Sequence, residues 1–241
     1  MILAGNWKLN KNPKEAAEFA TVFATKANKD LASKTLIFPT ALSLSSVSET
    51  FKKAGIGFGL QNMAVKSGGA FSGENSGEMS LSLGATHVLI GHSERRSLYG
   101  ETNQQVNEKT KLAIELGLVP VICIGETLEE RKTGVTNKVL EKQLRECLVD
   151  CSFTKTPIIA YEPVWAIGTG EVATPEQANE AHVFVKSVLK ELGSASAPVL
   201  YGGSVKPKNA GELSQKNSID GFLVGGASLD VDSFLAIGEF C

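Results

Sequence analysis

Eight short apolar or β-branched runs, spread almost evenly over 241 residues, constrain this chain more than any single motif does. They cover Ile2 to Gly5, Thr35 to Phe38, Ile56 to Leu60, His87 to Ile90, Val119 to Ile124, Ile158 to Tyr161, Pro198 to Tyr201 and Ile219 to Val224, with Gly, Pro, Asn or Ser just beyond them. Runs of this length and makeup predict strands. Most intervals carry helical periodicity, as in Pro13 to Asn28, Glu101 to Leu116, Glu126 to Val149 and Pro175 to Leu192. Dividing the length by eight gives about 30 residues, the size of one strand-and-helix step, and no Pro/Ser/Gly-rich linker interrupts the series. An α/β chain closed into one (β/α)8 barrel, a single domain over residues 1–241, fits better than two domains. The irregular step is the third. There QNMAVKSGGAFSGENSGEMS follows Leu60, polar, Gly-rich and too long for a simple connection; such loops are usually functional or interaction elements.

Composition narrows the function classes. With 42% hydrophobic and 21% charged residues the chain can bury an ordinary core. A net charge of −2, from 24 basic and 26 acidic residues, leaves no basic footprint for a polyanion, so no nucleic-acid partner is expected. No uncharged run approaches the ~18 apolar residues of a membrane span. The start MILAGNWK lacks a basic segment with a long apolar stretch behind it. No membrane association and a cytoplasmic location are therefore expected. Cys123, Cys147, Cys151 and Cys241 form no C-x-x-C pair and no ligand cluster with His87, His92 and His182. Reduced thiols and no metal are expected.

In such a barrel the chemistry belongs where the C-terminal strand ends and their loops converge on one mouth. The first strand ends in Gly5-Asn6-Trp7-Lys8; alternation puts Asn6 and Lys8 on one face, either in the mouth or, for Lys8, on the open surface. The fourth ends in Ile90-Gly91-His92-Ser93-Glu94-Arg95-Arg96. Ser93 is the expected N-cap of a helix starting at Glu94, which sets His92 against the positive helix end and keeps it neutral, able to donate an N–H. A hydrogen-bonded structural histidine is the other reading; His87 at the barrel bottom and His182 within a helix are assigned to structure. The sixth strand ends in Glu162, where a carboxylate faces the same mouth as a general base. Pro163 to Ala173 has a stiff start and a tip with Gly168 and Gly170, the build of a closing lid. Its second half also spells G-x-G-x-x-A, but the next helix begins at Thr174-Pro175-Glu176, with Thr174 as N-cap, so the dinucleotide fingerprint fails on position. Gly202-Gly203-Ser204 after the seventh strand and Gly225-Gly226 after the eighth are each compatible with tight turns. Together, at those two ends, they favour phosphate.

The segments AGNWKLN, IGHSERR, AYEPVWAIGTG, YGGSVKP and GFLVGGASL resemble the triosephosphate isomerase family, and the likeness covers essentially the whole chain. The resemblance implies a homodimeric (β/α)8, or TIM, barrel without metal or cofactor. It implies interconversion of dihydroxyacetone phosphate and D-glyceraldehyde 3-phosphate in glycolysis and gluconeogenesis. Position by position it implies Glu162 as base, His92 as neutral electrophile, Lys8 and Asn6 as contacts to substrate oxygen, and Glu94 as an acid near the lysine. Gly168, Ser204, Gly225 and Gly226 match amides that grip phosphate. The lid is then Pro163, Val164, Trp165, Ala166, Ile167, Gly168, Thr169, Gly170, Glu171, Val172 and Ala173. The base, neutral histidine and closing lid are the family's own mechanism and enter with the resemblance.

Departures lie in the third loop. The family usually shows G-A-[Y/F]-T-G-E-[I/V]-S, and this chain has Gly69-Ala70-Phe71-Ser72-Gly73-Glu74-Asn75-Ser76. In the family this loop enters the partner subunit, so Ser72 and Asn75 bear on dimer strength, while Glu74 and Arg95 remain available for a supporting ion pair. Two other readings use the same residues. Another phosphate-binding barrel enzyme acting on sugar phosphates, if an aldolase, would want a buried Schiff-base lysine, and no central strand offers one. A non-catalytic anion-binding barrel would have lost the base, yet Lys8, His92 and Glu162 are all present. Cys123, at the end of the fifth strand, resembles a family cysteine near the base and is expected to be a small buried packing residue.

Overall fold

The computed structural model describes residues 1–167 and 172–241. Strands β1 (Ile2–Asn6), β2 (Thr35–Phe38), β3 (Gly57–Leu60), β4 (His87–Ile90), β5 (Val119–Ile124), β6 (Ile158–Tyr161), β7 (Val199–Tyr201) and β8 (Gly221–Val224) pair in parallel, in chain order. β1 also pairs with β8, through Ile2↔Gly221 to Gly5↔Val224, so the sheet closes on itself. The helices are α1 (Pro13–Lys26), α2 (Lys29–Lys34), α3 (Leu44–Ala54), α4 (Gly77–Ser82), α5 (Ser93–Tyr99), α6 (Asn103–Leu116), α7 (Leu128–Lys132), α8 (Thr136–Leu148), α9 (Pro175–Glu191), α10 (Pro207–Ser214) and α11 (Val231–Gly238). The chain is thus the (β/α)8 barrel that the spacing predicts.

Two apolar layers hold it. Successive strand residues face opposite ways. Ala4, Phe38, Leu89, Val121, Cys123, Ala160, Leu200 and Leu223 fill the interior of the ring, while Leu3, Ile37, Val88, Ile122, Ile159 and Phe222 pack outward against the helices. Trp7 is fully buried with Phe19 of α1 edge-on at 4.9 Å, which anchors the segment leaving β1. Cys123 is a buried free thiol inside the ring, as expected of a packing residue.

Three differences from the sequence expectations have local causes. The helix expected over Glu126 to Val149 is split into α7 and α8 by Gly134 at φ 73, a conformation that ends a helix. β8 starts at Gly221 because the Ile219 N–H is taken by Lys216 O at 3.0 Å in a turn. The N-cap of α5 is His92 and not Ser93: its ring nitrogen accepts the Glu94 N–H, and the helix starts one residue earlier. At α9 the expected cap holds, with Thr174 accepting from Gln177 N and Pro175 at the start.

His182 sits fully buried on α9, edge-on to Tyr161 at 5.8 Å, with Nδ1 3.2 Å from Ser218 O. Burial pulls its pKa from 6.5 down to about 4. The unfolded chain therefore binds a proton there that the native one refuses, and stability is lost as pH falls between those values, by on the order of 3 kcal/mol. Urea midpoints followed on acidification should fall more steeply for the wild type than for His182→Gln; equal slopes would contradict this source of acid sensitivity.

Candidate active site

At the C-terminal strand ends Asn6, Lys8, His92, Glu162, Ser204, Gly225 and Gly226 line one cavity of about 380 Å³. Residues far apart in the chain meet there because each follows a different strand of a closed ring. The sequence picked this set out, and the structure brings it together.

Glu162 follows β6, and its backbone is pinned by its N–H to Ile124 O at 2.7 Å. Its side chain is 2% exposed, yet both carboxylate oxygens are occupied: Oε2 accepts the Ser93 N–H at 2.8 Å, and Oε1 lies 2.9 Å from His92 Nε2. Burial pushes its pKa up, the His92 ring and the Ser93 N–H pull it down, and the net shift is downward. The group is a carboxylate at neutral pH. Its Oε1 contact with His92 is the one a substrate entering between the two would replace.

His92 is buried at the other end of that contact. Nδ1 accepts the Glu94 N–H at 3.2 Å. A nitrogen that accepts carries no proton, so the ring's proton sits on Nε2, facing the cavity. Burial lowers the imidazole pKa and the docked Glu162 carboxylate raises it, upward on balance while the two touch. Once Glu162 turns to substrate that support is withdrawn, and burial, the largest influence, together with the Lys8 ammonium favours a neutral donor against the smaller opposing pull of Glu94. The Glu94 carboxylate lies 3.7 Å from Nδ1, beyond hydrogen-bond range, and pairs with Lys8 Nζ at 2.5 Å.

Lys8 reaches the mouth differently from the strand alternation expected. β1 ends at Asn6, and Lys8 takes a left-handed conformation, φ 50, that a side-chain-bearing residue adopts at a cost of about 1–3 kcal/mol. The strain is held from both sides: the Lys8 N–H donates to Asn6 Oδ1 at 3.0 Å, and Gln61 Nε2 donates to Lys8 O at 2.8 Å. Gln61, just past β3, was not singled out in the sequence. Its position at a strand's C-terminal end was the available signal.

Opposite the base, Gly202, Gly203 and Ser204 after β7, and Gly225 with Gly226 after β8, turn backbone toward the cavity. Gly226–Leu229 is a short 3-10 turn. Of the lid, Ala166 and Ile167 line the cavity, Val172 is exposed and Ala173 buried. Gly168, Thr169, Gly170 and Glu171 lie outside the described residues. The lid's entry is fixed by a carboxylate that the sequence reading placed at a helix start. Glu126 Oε1, wholly buried, accepts Trp165 Nε1 at 2.9 Å and Tyr161 OH at 3.1 Å and faces Arg131 at 3.2 Å. Pro163 and Val164 lie between these two anchored rings.

The third loop stands apart from the cavity. Phe71, Ser72, Gly73 and Glu74 are exposed, and Asn75 lines a neighbouring hollow of about 330 Å³ with Lys8, Gln61, Glu94, Arg95 and Tyr99. Within the chain Arg95 lies 3.4 Å from Glu101, which is held by buried Lys109, and stacks on Tyr99. Among the described residues no group of three His, Cys, Asp or Glu could hold a metal ion.

This fold and mouth define a (β/α)8-barrel enzyme suited to acid–base chemistry on a small anionic substrate. A sequence model of the family "Triosephosphate isomerase" matches residues 1–241. Proteins named triosephosphate isomerase from Bdellovibrio bacteriovorus, Magnetococcus marinus and Chlorobaculum tepidum are 51%, 48% and 45% identical, covering 99%, 98% and 98% of this chain and 98%, 96% and 99% of theirs. The chain belongs to the triosephosphate isomerase family.

One close approach tests the geometry of the base. A β-carbon on Gly125 would come 1.7 Å from Glu162 O, so even alanine must separate β5 from β6 where Glu162 departs. Gly125→Ala should lower kcat by about 10²-fold through misplacement of the carboxylate, with a lower melting temperature. Wild-type kcat in that variant would show that this contact does not set the base's position.

Proposed function

We propose that this chain interconverts dihydroxyacetone phosphate and D-glyceraldehyde 3-phosphate by proton transfer through an enediolate, as a step of glycolysis and gluconeogenesis. The observation that carries the reading is the contact between a buried carboxylate and an imidazole whose other nitrogen is already occupied. Moving a carbonyl between adjacent carbons needs a base that takes a proton from one and returns it to the other, and donors for the oxygens that gain charge. Glu162 is the base in this reading. His92 Nε2–H and the Lys8 ammonium are the donors, Asn6 orders Lys8 and meets substrate oxygen, and Glu94 holds the ammonium in place. These proton transfers use side chains at the mouth, and no metal or cofactor is assigned to them. Ser204, Gly225, Gly226 and Gly168 would supply the phosphate-binding amides, with the segment Pro163 to Ala173 closing over them. Exclusion of water protects an intermediate that otherwise sheds phosphate.

We also read the chain as a single-domain cytoplasmic homodimer that binds neither membrane nor nucleic acid. Leu9, Leu42, Leu98 and Tyr99 are 95%, 83%, 72% and 71% exposed, an apolar display more typical of a covered face. Leu9 and Tyr99 of this set line the hollow beside Lys8, and the third loop, Phe71 to Asn75, is the element suited to enter a second copy's hollow. No helix among the described residues is long and apolar enough to cross a membrane.

An assay started with glyceraldehyde 3-phosphate should show turnover, and Glu162→Gln should reduce it by about 10²–10⁴-fold, the usual loss for a general base. Near-wild-type turnover in that variant would remove Glu162 from the role. Sedimentation across concentrations should give a dimer. A monomer at every concentration, with full activity, would contradict the third-loop reading.

A further inference from the structure

The ladder between β4 and β5 runs from His87↔Val119 to Ile90↔Ile122 and then stops. On the next rung the carbonyl oxygens of Gly91 and Cys123 both face the seam, and two acceptors cannot satisfy each other. Arg96, in the last turn of α5, fills this gap. Its Nε donates to Gly91 O at 2.8 Å, Nη2 donates to Cys123 O at 3.1 Å, and Nη1 donates to Asn103 Oδ1 at 2.5 Å. Asn103 is itself fixed by its amide donating to Glu146 at 2.7 Å. The backbone makes room: Gly91 has φ 71, and a β-carbon on it would come 3.0 Å from Arg96 Nη2 and 2.9 Å from Val106.

We infer that Arg96 is a positioning residue for the isomerisation, its guanidinium locking the turn that carries His92 to the strand end that abuts Glu162. Gly91 is bonded directly to His92, and Ile124, one residue past Cys123, accepts the Glu162 N–H at 2.7 Å. The guanidinium therefore stands one residue from His92 on one side and, on the other, one residue and one backbone hydrogen bond beyond Cys123 from Glu162. A planar fork of donors meets both carbonyls at once, whereas a lysine has a single nitrogen for the two. Released from this clamp, β4 and β5 would part at the mouth, and the 2.9 Å separation of His92 Nε2 and Glu162 Oε1 would no longer be set by the backbone.

The inference rests on the isomerase reading for its kinetic test and on spectroscopy for an independent one. Arg96→Met should lower kcat by about 10²-fold with KM kept within about threefold, because orientation at the reacting centre is lost while the phosphate loops are untouched. Arg96→Lys should recover part of the loss, and guanidinium ion at non-denaturing concentration should partly restore Arg96→Ala. The His92 Nε2–H resonance should move in the methionine variant, whatever the substrate. If that variant does not fold, Asn103→Ala, which removes only the Nη1 partner, should still lower kcat at constant KM. Wild-type kcat in Arg96→Met, or equal losses in the Lys and Met variants with no guanidinium response and an unmoved His92 resonance, would overturn the inference. A wild type inactive on glyceraldehyde 3-phosphate would refute the assigned reaction, leaving the His92 resonance to decide the positioning on its own.

Discussion

Pairing of β1 with both β2 and β8 is the constraint on which the rest depends. Closure removes both sheet edges and leaves the loops nowhere to converge except over the two ends of the ring. Lys8, His92, Glu162 and Gly225 follow strands 1, 4, 6 and 8, so only a closed ring brings all four to one cavity. The interior layer of alternating apolar side chains keeps water out below that mouth and gives its polar groups a floor.

Above this floor the groups hold one another in states that none would keep alone. Glu162 is buried but remains charged because a ring nitrogen and a backbone N–H both face it. His92 caps α5 with one nitrogen and so presents its single N–H with the other. Lys8 tolerates a left-handed backbone because Asn6 and Gln61 hold its amide and carbonyl. Strain and burial are placed at the mouth, while Glu126 and Arg96, one at the lid's root and one in the β4–β5 seam, secure the backbone behind it.

The barrel was legible because the strands recur at a fixed interval, and apolar runs at that spacing need no tertiary information to recognise. Glu162 and His92 were legible for a related reason: once strand ends are known, a carboxylate or imidazole at a C-terminal end faces the mouth. What sequence reasoning missed depends on partners that exist only after closure. Whether Ser93 or His92 caps α5 turns on one hydrogen bond, and the Ser93 N–H is diverted to Glu162. The left-handed turn at Lys8 depends on Gln61 from another strand end. Neither Glu126, at the start of a helical run, nor Arg96, in the stretch after the fourth strand, carries in the sequence a sign of the groups that face it once the ring has closed. Gly134, which splits α7 from α8, lay inside a helical apolar pattern, where a lone glycine can either be carried through a helix or end it.

In the proposed reaction the closed ring presents a neutral imidazole, N–H inward, to whatever the base deprotonates. Nitrogen NMR of histidine-labelled protein at neutral pH, with a phosphate-bearing substrate analogue occupying the mouth, reads this directly. His92 is expected to show one protonated nitrogen, Nε2, and one bare nitrogen, Nδ1. A ring with both nitrogens protonated, or with its only proton on Nδ1, would contradict it.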